Sequence, residues 1–190
     1  MFRFTLSILV AAVMIFAVGS VMASSVSMKI SGPGAVDSTT IKVGEKVSLD
    51  VYIENDAEYT FLNLGFKMTS PDIKTVVHPA DSGNGKNEHG DVKAYNGFQD
   101  ASIFDMGGLH VVEKDWDGNL PELLGFGGLC VHNKYLPHEN ARNMSVDMIF
   151  NEPGTFVVDS SFFPPLGTWM FAAPKHFPQW GGPYEFKVVE

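Results

Sequence analysis

The sequence predicts an all-β protein, an antiparallel β-sandwich, and three observations carry that prediction. Val47, Leu49, Val51 and Ile53 alternate with Ser48, Asp50, Tyr52 and Glu54; further on, Leu62, Leu64, Phe66 and Met68 alternate with Asn63, Gly65 and Lys67. Successive side chains of an extended chain point to opposite faces, so each run has one apolar and one wettable face. Similar short runs recur between Gly, Pro, Asn and Asp turn residues, giving about eight to ten strands. Beyond the amino-terminal run, no segment sustains apolar residues at helical spacing.

The elements follow in order. Met1-Phe2-Arg3-Phe4 carries one positive charge and no acid, and an uncharged apolar run extends from Leu6 to about Val21. Val21-Met22-Ala23 closes it with small residues at both cleavage-determining positions, so residues 1–23 are expected to be a cleaved secretory signal peptide. No Cys at the junction marks a lipoprotein, and no twin Arg marks folded export. Residues 24–190 then form a single sandwich domain, large enough to bury its own core.

Val26, Met28 and Ile30 make a first strand that stops at Gly32-Pro33-Gly34. Asp37 to Thr40 is a polar turn, Ile41 and Val43 a short strand, and Gly44-Glu45-Lys46 turns into the two alternating runs. Ser70-Pro71-Asp72 ends the second run, because Pro cannot donate to a ladder. Ile73 to His78 reads as a strand with Ile73, Thr75 and Val77 on one face. Asp81 to Asp91 is a surface loop. Ala101 to Phe104 and Leu109 to Glu113 suit strands, Trp116 to Asn119 a turn, and Gly125 to Val131 a closely packed strand. Lys134 to Asn143 reads as a polar loop or one helical turn. Val146, Met148 and Phe150 resume the alternation, Asn151-Glu152-Pro153-Gly154 signals a tight hairpin into Thr155 to Asp159, and Tyr184, Phe186 and Val188 close the domain.

Loss of Arg3 with the leader leaves 12 basic against 22 acidic residues, hence a net charge of −10. No Lys/Arg cluster offsets that field, so nucleic acid is not an expected partner, and neither is an anionic membrane surface. Cys130 is the only cysteine, which forbids an intrachain disulfide. Its apolar neighbours make it a small buried hydrophobe, with an intermolecular bridge or a reactive thiol as the alternatives.

The run Ile41-x-Val43-Gly44-Glu45-x-Val47-x-Leu49-x-Val51-x-Ile53-x-Asn55, followed by Leu62-x-Leu64-x-Phe66-x-Met68-x-Ser70-Pro71, resembles the start of a cohesin-type domain. The segment Phe150 to Val158, with Pro153-Gly154, resembles the late hairpin of such domains. Together these cover about a third of the chain after the leader, and no part of Asp81 to Asn143 shares in the resemblance. It implies a nine-stranded jelly-roll-like sandwich. It further implies a secreted, non-catalytic binding or structural module whose partner is an extracellular protein such as a dockerin-like module. A related carbohydrate-binding module is the alternative reading, with an extracellular hydrolase behind it. Cell-surface or periplasmic placement fits as well as release. The chain carries neither a dockerin-like repeated calcium loop nor a cell-wall sorting tail.

Candidate chemistry is sparse. His78, His89, His110, His132, His138 and His176 show no metal-ligand spacing and read as surface residues. No Gly-x-Ser-x-Gly elbow is present, so no catalytic residue is expected and no cofactor other than a structural calcium ion. Asp115-Trp116-Asp117-Gly118-Asn119 places Asp115, Asp117 and Asn119 at alternate positions, from which a looping backbone can aim three oxygens at one hard cation, and Glu122 follows. A plain turn is the competing reading, as it is for the weaker Asp81 to Gly85 loop. Asn143-Met144-Ser145 is a glycosylation sequon. Trp169, Phe171, Phe177, Trp180, Tyr184 and Phe186 crowd the last quarter. They read either as a plug for the end of the sandwich or as a glycan or protein platform, with Trp180, Phe177 and Tyr184 the candidate ligand-binding residues. Trp169 looks the more core-like of the two tryptophans and Trp180 the more exposed.

Overall fold

The computed structural model describes residues 24–55, 59, 61–78, 92–94, 109–115, 118–129, 141–161, 169–172 and 175–190, with 92–94, 109–115, 126–129 and 141 described through their backbone. The expected leader 1–23, the expected strand Ala101 to Phe104, the expected Asp81 to Gly85 loop and Cys130 lie outside the described residues. No helix occurs among those described.

They contain twelve strands, more than expected: β1 (Ser25–Ser31), β2 (Thr40–Lys42), β3 (Lys46–Glu54), β4 (Phe61–Thr69), β5 (Val92–Ala94), β6 (Leu109–Asp115), β7 (Glu122–Leu129), β8 (Ala141–Ile149), β9 (Gly154–Ser160), β10 (Met170–Ala172), β11 (Gln179–Trp180) and β12 (Tyr184–Val189). Several have only two or three residues, too short to leave a periodic signature. The strands form a five-stranded sheet, β11-β1-β3-β8-β5, and a seven-stranded sheet, β2-β12-β9-β4-β7-β6, in which β10 pairs with β4. Two pairings are parallel, β1 with β11 and β12 with β2, so the sandwich is mixed rather than purely antiparallel. Both join segments far apart in sequence, where no hairpin dictates direction.

The two alternating runs, β3 and β4, lie in opposite sheets. Val47, Leu49, Val51 and Ile53 from one, and Leu62, Leu64, Phe66 and Met68 from the other, are all buried in a single core cluster. Period-2 patterning decides which face a strand buries and leaves open which strand it bonds to. The same limit explains the turn at Asn151. The chain breaks there as expected, yet β8 belongs to the five-stranded sheet and β9 to the seven-stranded one, so the turn is a corner between sheets and not a hairpin. Phe150 and Phe156, on either side of that corner, are both buried with ring centroids 4.7 Å apart. Ring burial from both sheets favours the crossing over a fold-back. A Cβ at Gly154 would come within 2.8 Å of the Asp72 Cβ and 2.9 Å of the Ile73 Cγ1, so the corner needs glycine for space.

Two expectations about facing are corrected. Ile73 to His78 is not a continuous strand; it makes isolated bridges at Thr75 and Val77, burying Ile73 and Val76 while Val77 is 43% exposed. Asp50 points away from the core as Tyr52 does, but it is 2% exposed. It lies on a central strand, where Ser145 Oγ donates to Asp50 Oδ1 at 2.5 Å and Arg142 Nη1 sits 3.5 Å away. Asp147, its neighbour on β8, is buried likewise, accepting from Ser48 Oγ at 2.6 Å with Lys46 Nζ at 3.4 Å. An outward residue of a central strand is covered by its cross-strand neighbours. Lys67, by contrast, is exposed as expected. The sequon residue Asn143 is buried in β8, where its Oδ1 accepts from the Ile53 amide at 3.2 Å, so the folded chain does not present it.

Candidate functional site

Three places on this scaffold carry chemistry beyond packing, and the first is the carboxyl-terminal aromatic corner. The β11 pair runs parallel to β1, with Trp180 opposite Val26, and Gln179 N and Gly181 N donate to Ser24 O and Val26 O. Val26 belongs to the core, so this register turns Trp180 toward the gap between the sheets. Its ring lies 5.6 Å from Phe66, 5.2 Å from Trp169 and 5.1 Å from Tyr184. The Trp180 indole N–H donates to Asp159 Oδ1 at 2.8 Å, and that of Trp169 donates to Gly65 O at 2.6 Å. A Cβ on Gly182 would lie 2.7 Å from the Trp180 ring. The indole therefore has neighbours around its ring and a partner for its polar atom.

Of the three residues singled out from sequence, the structure brings Trp180 and Tyr184 together and leaves Phe177 apart. Phe177 is 54% exposed, and its partner is Lys175, whose Nζ lies 5.1 Å from the ring centroid. Trp169 and Trp180 are both half-buried against the core, so the expected contrast between them is absent.

The second place is the connection from β6 to β7. Asp117 lies outside the described residues, and Asp115, the last residue of β6, is known through its backbone. Asn119 is exposed and bridges Thr75. The residue that commands this connection is Glu122. It is fully buried, and its Oε1 accepts from Gly118 N at 2.5 Å and faces His78 Nε2 at 2.9 Å. The His78 side chain is 7% exposed, which corrects its reading as a surface residue. The pairing could not be read from sequence, since its members are 44 residues apart and neither lies in a motif. His176 is also inward, stacked on Tyr59 at 5.8 Å. No group of three or more His, Cys, Asp or Glu assembles into a metal-holding cluster among the described residues.

The third place is the outer face of the seven-stranded sheet. Because Leu64, Phe66 and Met68 point inward, Lys67 and Thr69 point outward. The register sets Leu123, Lys67 and Asp159 in one row across β7, β4 and β9, and Thr69, Val157 and Glu185 in the next. Gly65 pairs with Gly125 beside the first row, and both are buried. This face mixes apolar, small and charged residues in reach of solvent, whereas the central carboxylates of the opposite sheet are buried.

No protein-family model matches the sequence, and no curated protein does. Solved structures do. The chain is similar to the cohesin module of a family 33 glycoside hydrolase from Clostridium perfringens, with a TM-score of 0.54 and 12% identity over 88% of this chain and 98% of that one. It is similar to the sixth cohesin of scaffoldin B from Acetivibrio cellulolyticus, solved in complex with a Cel5 dockerin mutant, with a TM-score of 0.55 and 10% identity over 87% and 97%. A type II cohesin from a cohesin–X-dockerin complex of the same organism gives a TM-score of 0.55 and 14% identity over 87% and 99%. The chain has a cohesin-like fold. At such identities that statement concerns architecture, and the cohesin-like sandwich spans nearly the whole of each module it matches. The nine strands expected from the resemblance are twelve here, counted among the described residues.

Proposed function

We propose that this cohesin-like domain is a secreted, non-catalytic module that binds an extracellular protein of the dockerin type. The observation that supports this reading is the near-complete overlap with cohesin modules, several of which were solved in complexes with dockerin partners. The outer face of the seven-stranded sheet suits such a role. Leu123 and Val157 are half-buried apolar points on it, with the exposed charges Lys67 and Asp159 beside them. Apolar contacts near the centre of a patch with a polar rim are the usual anatomy of a protein interface.

The test is titration of the mature protein, expected to begin at Ser24, against a panel of purified dockerin modules by calorimetry. Lys67→Glu and Leu123→Asp should each weaken a measured Kd at least tenfold, about 1.4 kcal/mol, with little change in melting temperature. Absence of binding to every dockerin tested, with a folded protein, would count against the reading. Full affinity in both variants would move the interface elsewhere. The carbohydrate alternative keeps one favourable observation, the exposed Phe177 ring beside Lys175. A glycan array with Phe177→Ala distinguishes it.

A further inference from the structure

β1 is paired along its whole length on one side and only at its start on the other. Ser25 to Ser31 all have partners on β3, whereas β11 covers Ser25 and Val26 alone. Gln179 N donates to Ser24 O and Gly181 N to Val26 O, so the even-numbered residues of β1 turn their backbone groups to the β11 side. After Gly181 the chain leaves this sheet and pairs next as β12 in the other. Met28 and Ile30 therefore present N–H and C=O groups along an edge where no described residue pairs with them. The Ile30 side chain, on the inward row with Val26 and Met28, is half-buried against the core. Open edges are usually blunted by lysine, proline or a bulge. β1 has no proline and no bulge in its register with β3. Its one lysine, Lys29, holds Nζ 4.6 Å from the Tyr52 ring centroid, leaning toward β3 and away from the edge.

Two copies of one edge pair antiparallel about a two-fold axis normal to the sheet, which keeps both apolar faces on one side. The residues fix where that axis falls. An axis at Met28 would set Val26 against Ile30, but the Val26 carbonyl already serves Gly181. An axis at Lys29 would set two lysines directly opposite each other, which is destabilising. An axis at Ile30 does neither: Ile30 faces Ile30, Lys29 faces Ser31 and Met28 faces Gly32. The two Ile30 residues then exchange both their backbone hydrogen bonds, and their half-buried side chains cover one another. Beyond Gly32 the chain turns back toward β3, with Gly34 N donating to Lys46 O at 2.8 Å, so the second copy leaves the edge before it reaches β11.

We propose that this protein self-associates through the open edge of β1, antiparallel about a two-fold axis at Ile30, so that the five-stranded sheets of two copies run on as one. The ladder from Met28 to Gly32 is roughly 17 Å long. That is shorter than a permanent interface needs, so the pairing depends on concentration. The contact draws on none of the residues offered above to a dockerin-type partner.

Sedimentation of the mature protein from about 1 µM to about 1 mM should carry monomer into dimer. Ile30→Pro is the first variant. The Ile30 N–H bonds to nothing in the single copy, and proline is tolerated on an edge strand, so this variant should fold and dimerise about tenfold more weakly. Position 31 supplies the second comparison. Ser31→Lys sets a like charge opposite Lys29 and should weaken the dimer roughly threefold, whereas Ser31→Glu sets an acid there and should strengthen it by about as much. That contrast decides the matter even if Ile30→Pro does not fold. A protein that stays monomeric at about 1 mM overturns the proposal. So does a dimer that a folded Ile30→Pro leaves intact, or one that both Ser31 variants shift in the same direction.

Discussion

Leu64→Asp is expected to unfold the protein, while Lys67→Asp, on the same strand, should change its stability by about 0.5 kcal/mol or less. Leu64 is fully buried on the inward row of β4. It faces the Val47 to Ile53 row across the sandwich, and β4 bonds to β7, β9 and β10. A carboxylate there has no partner within the apolar cluster, and leaving it unpaired costs several kcal/mol beyond the lost leucine packing. Domains of this size hold about 5–15 kcal/mol of stability, so one such change consumes most of it. Lys67 projects to solvent with only its alkyl stem near the sheet, and reversing its charge removes no buried contact. Urea melts of the two variants read the difference directly. Equal destabilisation would mean that β4 is shifted by one residue, because a one-residue slip exchanges its two faces.

That prediction rests on what alternation makes legible, and its neighbours show where legibility ends. The inward rows of β3 and β4 could be read from sequence because every second residue is Val, Leu, Ile, Phe or Met. That they belong to different sheets could not, since pairing is settled by crossovers that leave no periodic mark. Asn151 to Gly154 announced a break and not its direction. Asp50 read as a solvent residue because its neighbours Ser145 and Arg142 are about ninety residues away in the chain. Val76 took the core position expected of Val77 because 73–78 is a bridged strap, not a strand, and so escapes the period of two. The resemblance to cohesins rested on the β2 to β4 run and the Phe150 to Val158 segment, and the overlap with cohesin structures extends that likeness to 88% of the chain. The candidate site was legible in part. Aromatic residues close in sequence could be grouped, and Trp180 with Tyr184 do meet. Glu122 could be noticed only as one more oxygen after Asn119. Its burial and its contact with His78 depend on the strap that closes over it.

Trp180→Ala is expected to lower stability by about 2–4 kcal/mol, well beyond the effect of Phe177→Ala. The indole is the hub of the corner where the two sheets meet. Phe66 from β4, Trp169 before β10 and Tyr184 at the start of β12 all lie within 6 Å of its centroid, and the Trp169 and Tyr184 rings stand edge-on to it. Aromatic pairs in such arrangements add about 0.5–1.5 kcal/mol each beyond the area they bury. Removing the ring also takes the indole donor from Asp159, which keeps the Ser160 amide, and it leaves the Phe66, Trp169 and Tyr184 rings without their shared neighbour. Gly182→Ala should act in the same direction from the other side, because its methyl group would press into the indole. Phe177→Ala removes an exposed ring whose contact is a single lysine, and should cost about 0.5 kcal/mol or less. The measurement is a set of thermal or urea melts on the three variants, with tryptophan emission as an independent probe. A Trp180→Ala protein with an unchanged melting temperature and weakened glycan or partner binding would identify the indole as a recognition surface. Loss of stability at Trp180 and Gly182, with none at Phe177, makes it the plug that closes this end of the sandwich.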